Sequence, residues 1–284
     1  MIKQRICMVT GANRGIGKAT ALKLAEADCH VILVCRDQAR GEEAQAEITT
    51  ETGNQQIDLL IADLSVQASI RRLAETFLAT YEHLDVLINN HTAIFEAREL
   101  SEDGIEMNFA LNYLAYFYLT NLLLTALYGS EAGRVITIAS EIHHAGSMNF
   151  ADLFFQENYQ PITAYCQAKL GNILFTYELA RRTAGSKVTA NCLDPGATNT
   201  LALRTLRTIH QQRTGRNPAD YSPVGTSQEG AATPFYLATS DEVEGVTGSY
   251  FLDQRAVASS EASYDQAAAS QLWDLSATMV GLPA

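Results

Sequence analysis

Tyr165 and Lys169 stand four positions apart in a stretch of helical composition. Residues at that spacing share one face of a helix, so a phenol and an ammonium can lie side by side. A free tyrosine loses its proton near pH ~10, and a neighbouring cation favours the phenolate and lowers that value. A tyrosine tuned in this way can give or take a proton near neutrality. Such pairs are also common as ordinary surface side chains, so the meaning of this one depends on its surroundings. A second group of residues supplies them. The apolar run Ile6-Cys7-Met8-Val9 suits a buried strand, and it leads into Thr10-Gly11-Ala12-Asn13-Arg14-Gly15-Ile16-Gly17 and then a helical segment. In a strand–turn–helix setting, glycines let the backbone approach a pyrophosphate, and free N–H groups at the helix start attract its charge. The spacing of Gly11, Gly15 and Gly17 is G-x-x-x-G-x-G, not the more general G-x-G-x-x-G.

Those residues need a scaffold, and the hydrophobic pattern specifies one. Strands are expected near 6–9, 30–35, 57–62, 85–89, 134–139, 187–193 and 249–252. Helices are expected near 15–27, 40–51, 66–81, 102–127, 162–183 and 227–239, with Ser65 as an N-cap and Gly53 as a stop. Strands alternating with helices imply a mostly parallel seven-stranded sheet, doubly wound, with helices on both faces. No repeat or linker divides the chain, so one α/β domain is expected over 1–284. Two segments break the rhythm: an aromatic-rich insertion at 141–161 (Phe150, Phe154, Phe155, Tyr159) and a long connection at 196–226 containing Asn217-Pro218 and Ser222-Pro223. Both follow strand ends on the carboxyl edge, where ligands bind in such sheets.

Composition narrows the function. The 284 residues are 47% hydrophobic, enough for a sizeable core. The net charge of −12 opposes nucleic acid as a partner. The five cysteines, Cys7, Cys29, Cys35, Cys166 and Cys192, show no C-x-x-C spacing, so no metal site and no disulfide framework are expected. No signal peptide and no apolar run of transmembrane length is evident, and the expectation is a cytoplasmic protein.

The glycine spacing together with Tyr165 and Lys169 resembles the short-chain dehydrogenase/reductase family. The likeness extends through Asp63-Leu64, Asn89-Asn90, Asn112, Ser140 and Pro195-Gly196, across nearly the whole chain. Cys35-Arg36-Asp37, the run from Tyr165 to Ala180, Gly248-Ser249-Tyr250-Phe251 and the step of 25 from Ser140 to Tyr165 are most similar to retinol dehydrogenase-like members. The resemblance implies a Rossmann-type domain that moves hydride between a nicotinamide and a carbonyl or alcohol. It implies that Tyr165 transfers the proton, that Lys169 holds the nicotinamide ribose and lowers the tyrosine pKa, and that Ser140 bonds the substrate oxygen. Asn112 is implied to position a water beside Lys169. Gly11, Arg14, Gly15, Ile16, Gly17, Arg36, Asp63, Leu64, Asn90, Pro195, Thr198 and Thr200 are implied to bind the cofactor, with Asp63 and Leu64 meeting the adenine and Thr198 and Thr200 the carboxamide. Cys35 stands where NAD-dependent relatives carry an acid, and Arg36 follows it. That favours NADP(H) over NAD(H), with Asp37 expected to point away. Pairing through the helices near 102–127 and 162–183 implies a possible homodimer.

One stretch departs from the family pattern: Asn89-Asn90-His91-Thr92 replaces Asn-Asn-Ala-Gly and adds bulk at the cofactor ribose. The leading expectation is an NADP(H)-dependent carbonyl reductase or alcohol dehydrogenase for a medium or large apolar substrate, with the phenylalanines of the insertion and Leu201, Leu203 and Leu206 around it. The alternative is a non-catalytic NADP(H)-binding sensor or scaffold. His143 and His144 lack companion ligands for a metal. Arg204, Arg207, Arg213 and Arg216 form a basic stretch read as a solvated lid face.

Overall fold

Strands flanked by helices on both faces must be apolar on both sides, and this sheet is. The computed structural model describes residues 4–214 and 224–283. Strands β1 (Ile6–Thr10), β2 (His30–Cys35), β3 (Ile57–Ile61), β4 (Val86–Asn89), β5 (Arg134–Ile138), β6 (Thr189–Asp194) and β7 (Ser249–Leu252) run parallel. An eighth strand, β8 (Arg255–Val257), pairs antiparallel with β7, so the sheet has eight strands where seven were expected. Only three residues long and exposed throughout, β8 carries no alternation that the sequence could reveal. The order is β3-β2-β1-β4-β5-β6-β7-β8. The chain reverses its direction of growth between β1 and β4, which makes that edge the switch point of a single doubly wound α/β domain.

The two-residue period of the strands sorts the core into two layers. Met8, Ile32, Leu87 and Val135 pack beneath α3 (Gln67–Thr80), α5 (Ala115–Tyr128), α6 (Pro161–Arg182) and α10 (Gln266–Val280). Cys7, Val9, Val31, Leu33, Val86 and Ile88 pack on the opposite face against α1 (Gly15–Glu26), α2 (Gln38–Thr52) and α9 (Ala232–Thr239). Gly53 ends α2 in a left-handed conformation, as expected. Ser65 does not cap α3; its hydroxyl donates to Asp63 Oδ1 at 2.6 Å instead.

Three elements differ from expectation. The helix expected near 102–127 begins with the short α4 (Met107–Phe109), loosens into a π turn (Ala110–Leu114), and continues as α5. Over Met107–Tyr128 it is long and apolar enough to cross a membrane, contrary to the sequence reading, but 72% of its most apolar window is buried within this domain. The connection at 196–226 contains α7 (Leu201–Thr214), opened by Thr200 Oγ1 accepting from Leu203 N at 3.2 Å, and the short α8 (Ser227–Gly230). Arg216, Asn217-Pro218 and Ser222-Pro223, and the side chain of Arg213, lie outside the described residues. The unforeseen α10 closes the molecule. Asp265 caps it, and Trp273 packs edge-on against Phe117 with centroids 4.9 Å apart and stacks near Phe175 at 5.9 Å. The surfaces of α5 and α6 proposed for pairing are thus covered in part by the chain's own last helix.

The insertion at 141–161 is tied down rather than loose. Gln167 on α6 donates to Leu153 O at 2.9 Å and accepts from Asn149 N at 2.8 Å. Tyr159 donates to Phe95 O at 2.8 Å beside the buried Glu106 carboxylate. Phe154 meets Phe109 edge-on at 5.6 Å, and Phe150 packs against the same core. These aromatic rings are spent on anchoring the segment, not on lining an open pocket.

Candidate active site

The carboxyl edge of the sheet begins with the glycine turn. Gly11 has φ of +66°, and its N–H donates to Val34 O at 2.9 Å. A Cβ at Gly11 would lie 2.9 Å from His91 Cα, and one at Gly17 would lie 2.4 Å from both Asn90 Nδ2 and Gly11 O. Chain and helix are therefore pressed together at a distance only glycine permits. Asn90 holds the turn from below, its amide donating to Thr10 O at 2.8 Å while its backbone N–H donates to Thr10 Oγ1 at 2.8 Å. That NH2 group supports the turn, in addition to the cofactor contact expected of Asn90. No side chain caps α1 at Arg14, which leaves its first amides to attract an anion. The tight cradle and the uncapped amides fit a dinucleotide pyrophosphate.

Beyond the turn, the end of β2 presents Cys35, whose thiol is buried and pushed up to about 11 by that burial. It supplies no carboxylate. Arg36, next in the chain, and Arg14 in the glycine turn are exposed, and Arg36 Nη1 lies 4.0 Å from Asp63 Oδ2. Asp37 is held as the N-cap of α2, accepting from Arg40 N at 3.0 Å. Asp63 Oδ1 is taken by Ser65 N and Oγ. The Leu64 side chain is in the core, so only its backbone remains for an adenine.

Tyr165 and Lys169 both lie on α6 and are buried. Lys169 Nζ donates to Ile138 O at 2.9 Å and sits 5.6 Å from the Tyr165 ring centroid and 5.7 Å from that of Tyr116. Burial pulls the Lys169 ammonium down to about 7, against a raising influence of Asp194. Burial likewise pushes the Tyr165 phenol up to about 12, opposed by a hydrogen bond with Thr92 and reinforced by the Asp194 charge. The expected lowering of the Tyr165 pKa is therefore reversed in this structure. Desolvation by burial is the largest influence on the phenol.

Asn112 lies in the π turn, where its side chain is fully engaged. Its Oδ1 accepts from Thr92 Oγ1 at 2.9 Å and Ala93 N at 3.0 Å, and its Nδ2 donates to Ala93 O at 2.8 Å and Asn108 O at 3.1 Å. Any water held for Lys169 must use main-chain atoms rather than this amide. His91 is interior: Nε2 donates to Leu111 O at 2.8 Å, so Nδ1 is the acceptor facing Thr10 Oγ1 at 3.0 Å. A carbonyl cannot donate, which fixes this tautomer. Burial holds the ring neutral, near 3. The added bulk of His91 thus fills the interior, edge-on to Tyr116 at 4.6 Å.

On the far side, Ser140 follows β5 and its Oγ accepts from Ile142 N at 3.4 Å. The buried Asp194 clamps the two neighbouring strand ends, accepting from Glu141 N at 2.5 Å and Gly196 N at 2.7 Å. Its carboxyl is raised by burial and lowered by those amides. Thr198 is buried and donates to the carbonyls of Pro195 and Gly196 at 3.1 and 3.2 Å. At the head of α7, Thr200 Oγ1 accepts from Leu203 N, so Thr198 keeps its lone pairs and Thr200 its proton for a carboxamide. His143 donates from Nδ1 to Ser140 O at 2.7 Å and accepts from Ser260 N at 3.0 Å, tying the Ser140 loop to the C-terminal segment. Among the described residues no group of three or more His, Cys, Asp or Glu converges as for a metal. Asp194, Thr92 and His143 were not singled out for these roles in the sequence. Their partners come from distant segments, and no local spacing announces them.

This geometry defines a Rossmann-type α/β fold with a buried tyrosine and lysine beside its glycine turn. A family model for short chain dehydrogenase matches residues 5–210. Human retinol dehydrogenase 14 is 40% identical over 97% of this chain and 86% of its own length, and human polyprenol dehydrogenase 37% over 98% and 86%. A solved structure of an uncharacterised protein from Mycobacterium Paratuberculosis is 32% identical and superimposes with a TM-score of 0.79, covering 98% of this chain and 94% of that one. Actinorhodin polyketide ketoreductase, at 21% identity and a TM-score of 0.71, covering 87% of this chain and 95% of its own, shares the fold. The chain belongs to the short-chain dehydrogenase family and is an oxidoreductase of the retinol dehydrogenase-like kind.

Proposed function

We propose that this protein is an NADP(H)-dependent reductase or dehydrogenase acting on a carbonyl or alcohol of a medium or large apolar compound. The observation that carries the reading is the meeting, at one sheet edge, of an anion-attracting glycine turn and a buried tyrosine four residues from a buried lysine. When bound, the dinucleotide supplies or accepts hydride. Gly11, Gly15, Ile16 and Gly17 hold the pyrophosphate. Arg14 and Arg36 take the 2′-phosphate: Cys35 brings no carboxylate, Asp37 caps α2, and the phosphate replaces the long Arg36–Asp63 contact. Asp63 and the Leu64 backbone face the adenine. Pro195, Thr198 and Thr200 form the wall beside the nicotinamide, with Asn90 supporting the turn.

In reduction, Tyr165 gives its proton to the carbonyl oxygen, and the Ser140 hydroxyl hydrogen-bonds the same atom while keeping its own proton, stabilising the charge that develops there. Lys169 holds the nicotinamide ribose, and Asn112 fixes the 92–93 backbone across from it. Leu201, half exposed at 50%, begins the apolar face of α7 that meets the substrate, with Leu203 and Leu206 behind it. Support for an apolar substrate also comes from the names of retinol and polyprenol dehydrogenases. Five free buried cysteines fit a reducing compartment, the cytoplasm in this reading. The test is a panel of aldehydes, ketones and alcohols followed by nicotinamide absorbance. Turnover with NADPH well above NADH is expected; equal or greater use of NADH would overturn the cofactor assignment.

A second reading, a cofactor-binding sensor without turnover, is favoured by one observation: Tyr165 and Lys169 both point their polar atoms at protein partners, Thr92 and Ile138 O. Tight NADPH binding with no turnover across the panel would support it.

A further inference from the structure

We propose that Thr92 is a catalytic residue of this chain, its hydroxyl acting as the hydrogen-bond partner that serves Tyr165 in both of its protonation states. The proposal rests on the oxidoreductase reading above. Thr92 Oγ1 lies 3.5 Å from the Tyr165 hydroxyl oxygen, the reacting atom, and donates to Asn112 Oδ1 at 2.9 Å. While it donates there, its lone pairs are open to the tyrosine proton. Asn112 Oδ1 also accepts from Ala93 N at 3.0 Å, so it keeps a partner if the Thr92 proton swings away. A hydroxyl donates and accepts, and rotation about one bond exchanges the two roles. Thr92 thus accepts from the phenol before transfer and donates to the phenolate after it.

Its placement is enforced on both sides. His91 is locked by its ring bonds to Thr10 and Leu111 O and by the Tyr116 hydroxyl donating to His91 O at 2.6 Å. Ala93 exchanges two hydrogen bonds with the Asn112 amide. Thr92 is suspended between these clamps. A glycine at 92 would leave the same backbone with no group facing the tyrosine.

Proton accounting is simple. In reduction the carbonyl carbon takes hydride from the reduced nicotinamide and the carbonyl oxygen takes the Tyr165 proton. The Thr92 proton turns from Asn112 Oδ1 to the phenolate oxygen, and no covalent bond of Thr92 changes. Thr92 Oγ1 lies within reach of the phenol, whereas Lys169 Nζ donates to Ile138 O. The other ionisable groups around the phenol are Cys166 beside it on α6, Asp194 at the end of β6, and Tyr116 on α5. Asp194 and Cys166 disfavour the phenolate, whereas Thr92 favours it.

The experiment labels tyrosine Cζ with carbon-13 and follows ionisation by NMR through the alkaline range, with Tyr165→Phe identifying the signal. Thr92→Val preserves shape and removes the hydroxyl; Thr92→Ser restores it. Ionisation of Tyr165 is expected to move up by about one unit in Thr92→Val, about tenfold less phenolate at a given pH, and to return in Thr92→Ser. The alkaline shift of the pH–rate profile should match. An unchanged Tyr165 titration in Thr92→Val, or a Thr92→Ser variant that behaves like it, would overturn the proposal. Absence of turnover in the parent protein would sink the oxidoreductase reading instead, while the NMR titration would still decide the role of Thr92.

Discussion

The two halves of the carboxyl edge are built differently. The nucleotide side is made mainly of backbone: Gly11, Gly15 and Gly17 shape it, and the Asn90 amide and Thr10 hydroxyl pin it by bonding each other's main chain. The catalytic side is made of buried polar side chains from distant segments: Tyr165 and Lys169 from α6, Thr92 after β4, Asn112 in a π turn, and Asp194 at the end of β6. Backbone sites tolerate little change in shape. Side-chain sites are sensitive to charge and protonation, because burial has displaced both Tyr165 and Lys169 from their ordinary ranges.

That contrast can be broken or sharpened by substitution. The largest expected effect is at Lys169. Lys169→Met should reduce turnover by several orders of magnitude yet stabilise the fold by a few kcal/mol near neutrality. The folded lysine titrates near 7 and the unfolded one near 10.5. Between those values the unfolded chain binds more protons, so the lysine's burial cost falls as pH rises through that window and is greatest below it. The gain in melting temperature from Lys169→Met should therefore be largest at acidic pH and fade toward the alkaline end. An equal gain at every pH would mean that the lysine is not desolvated.

Next comes Gly17→Ala, which drives a Cβ to 2.4 Å from Asn90 Nδ2 and Gly11 O. It should cost roughly 1–3 kcal/mol in stability and most of the NADPH affinity, measured by nucleotide fluorescence titration. Asp194→Asn keeps one acceptor for the clamped amides and removes the charge. A loss on the order of tenfold to a hundredfold in kcat/KM is expected, with NADPH affinity nearly unchanged. Equal losses in both would show that the two sides are not separable. Arg36→Ala should raise KM for NADPH about tenfold and leave KM for NADH in place. The smallest effect belongs to Asp37→Ala, which loses a helix cap worth ~1 kcal/mol without changing cofactor choice in a kinetic comparison.

The same contrast explains what could be read from the sequence. The glycine turn and the Tyr165–Lys169 pair were legible because each obeys a local rule, close backbone approach or helical period. The alternation of strands and helices was legible for the same reason. Side-chain roles dependent on remote partners were not. Asn90, Thr198 and Asn112 were expected to serve ligands, and the bonds that hold them to nearby carbonyls and amides were not legible. Thr92 looked like unwanted bulk until the fold brought it against the phenol. The direction of the Tyr165 pKa was missed because sequence spacing reports a neighbouring charge and says nothing of desolvation. Helix α10, capped by Asp265 and anchored by Trp273, follows the last expected strand and was not foreseen.

The central claim is that the Tyr165 hydroxyl is the group that transfers the proton. The direct measurement is a single-turnover reaction of Tyr165→Phe with bound NADPH and the best carbonyl from the panel, beside the parent protein. NADPH affinity is expected to hold within about twofold, while the rate of hydride transfer falls by roughly 10²–10⁴. A variant that binds NADPH normally and reduces the carbonyl at the parent's rate would contradict the account.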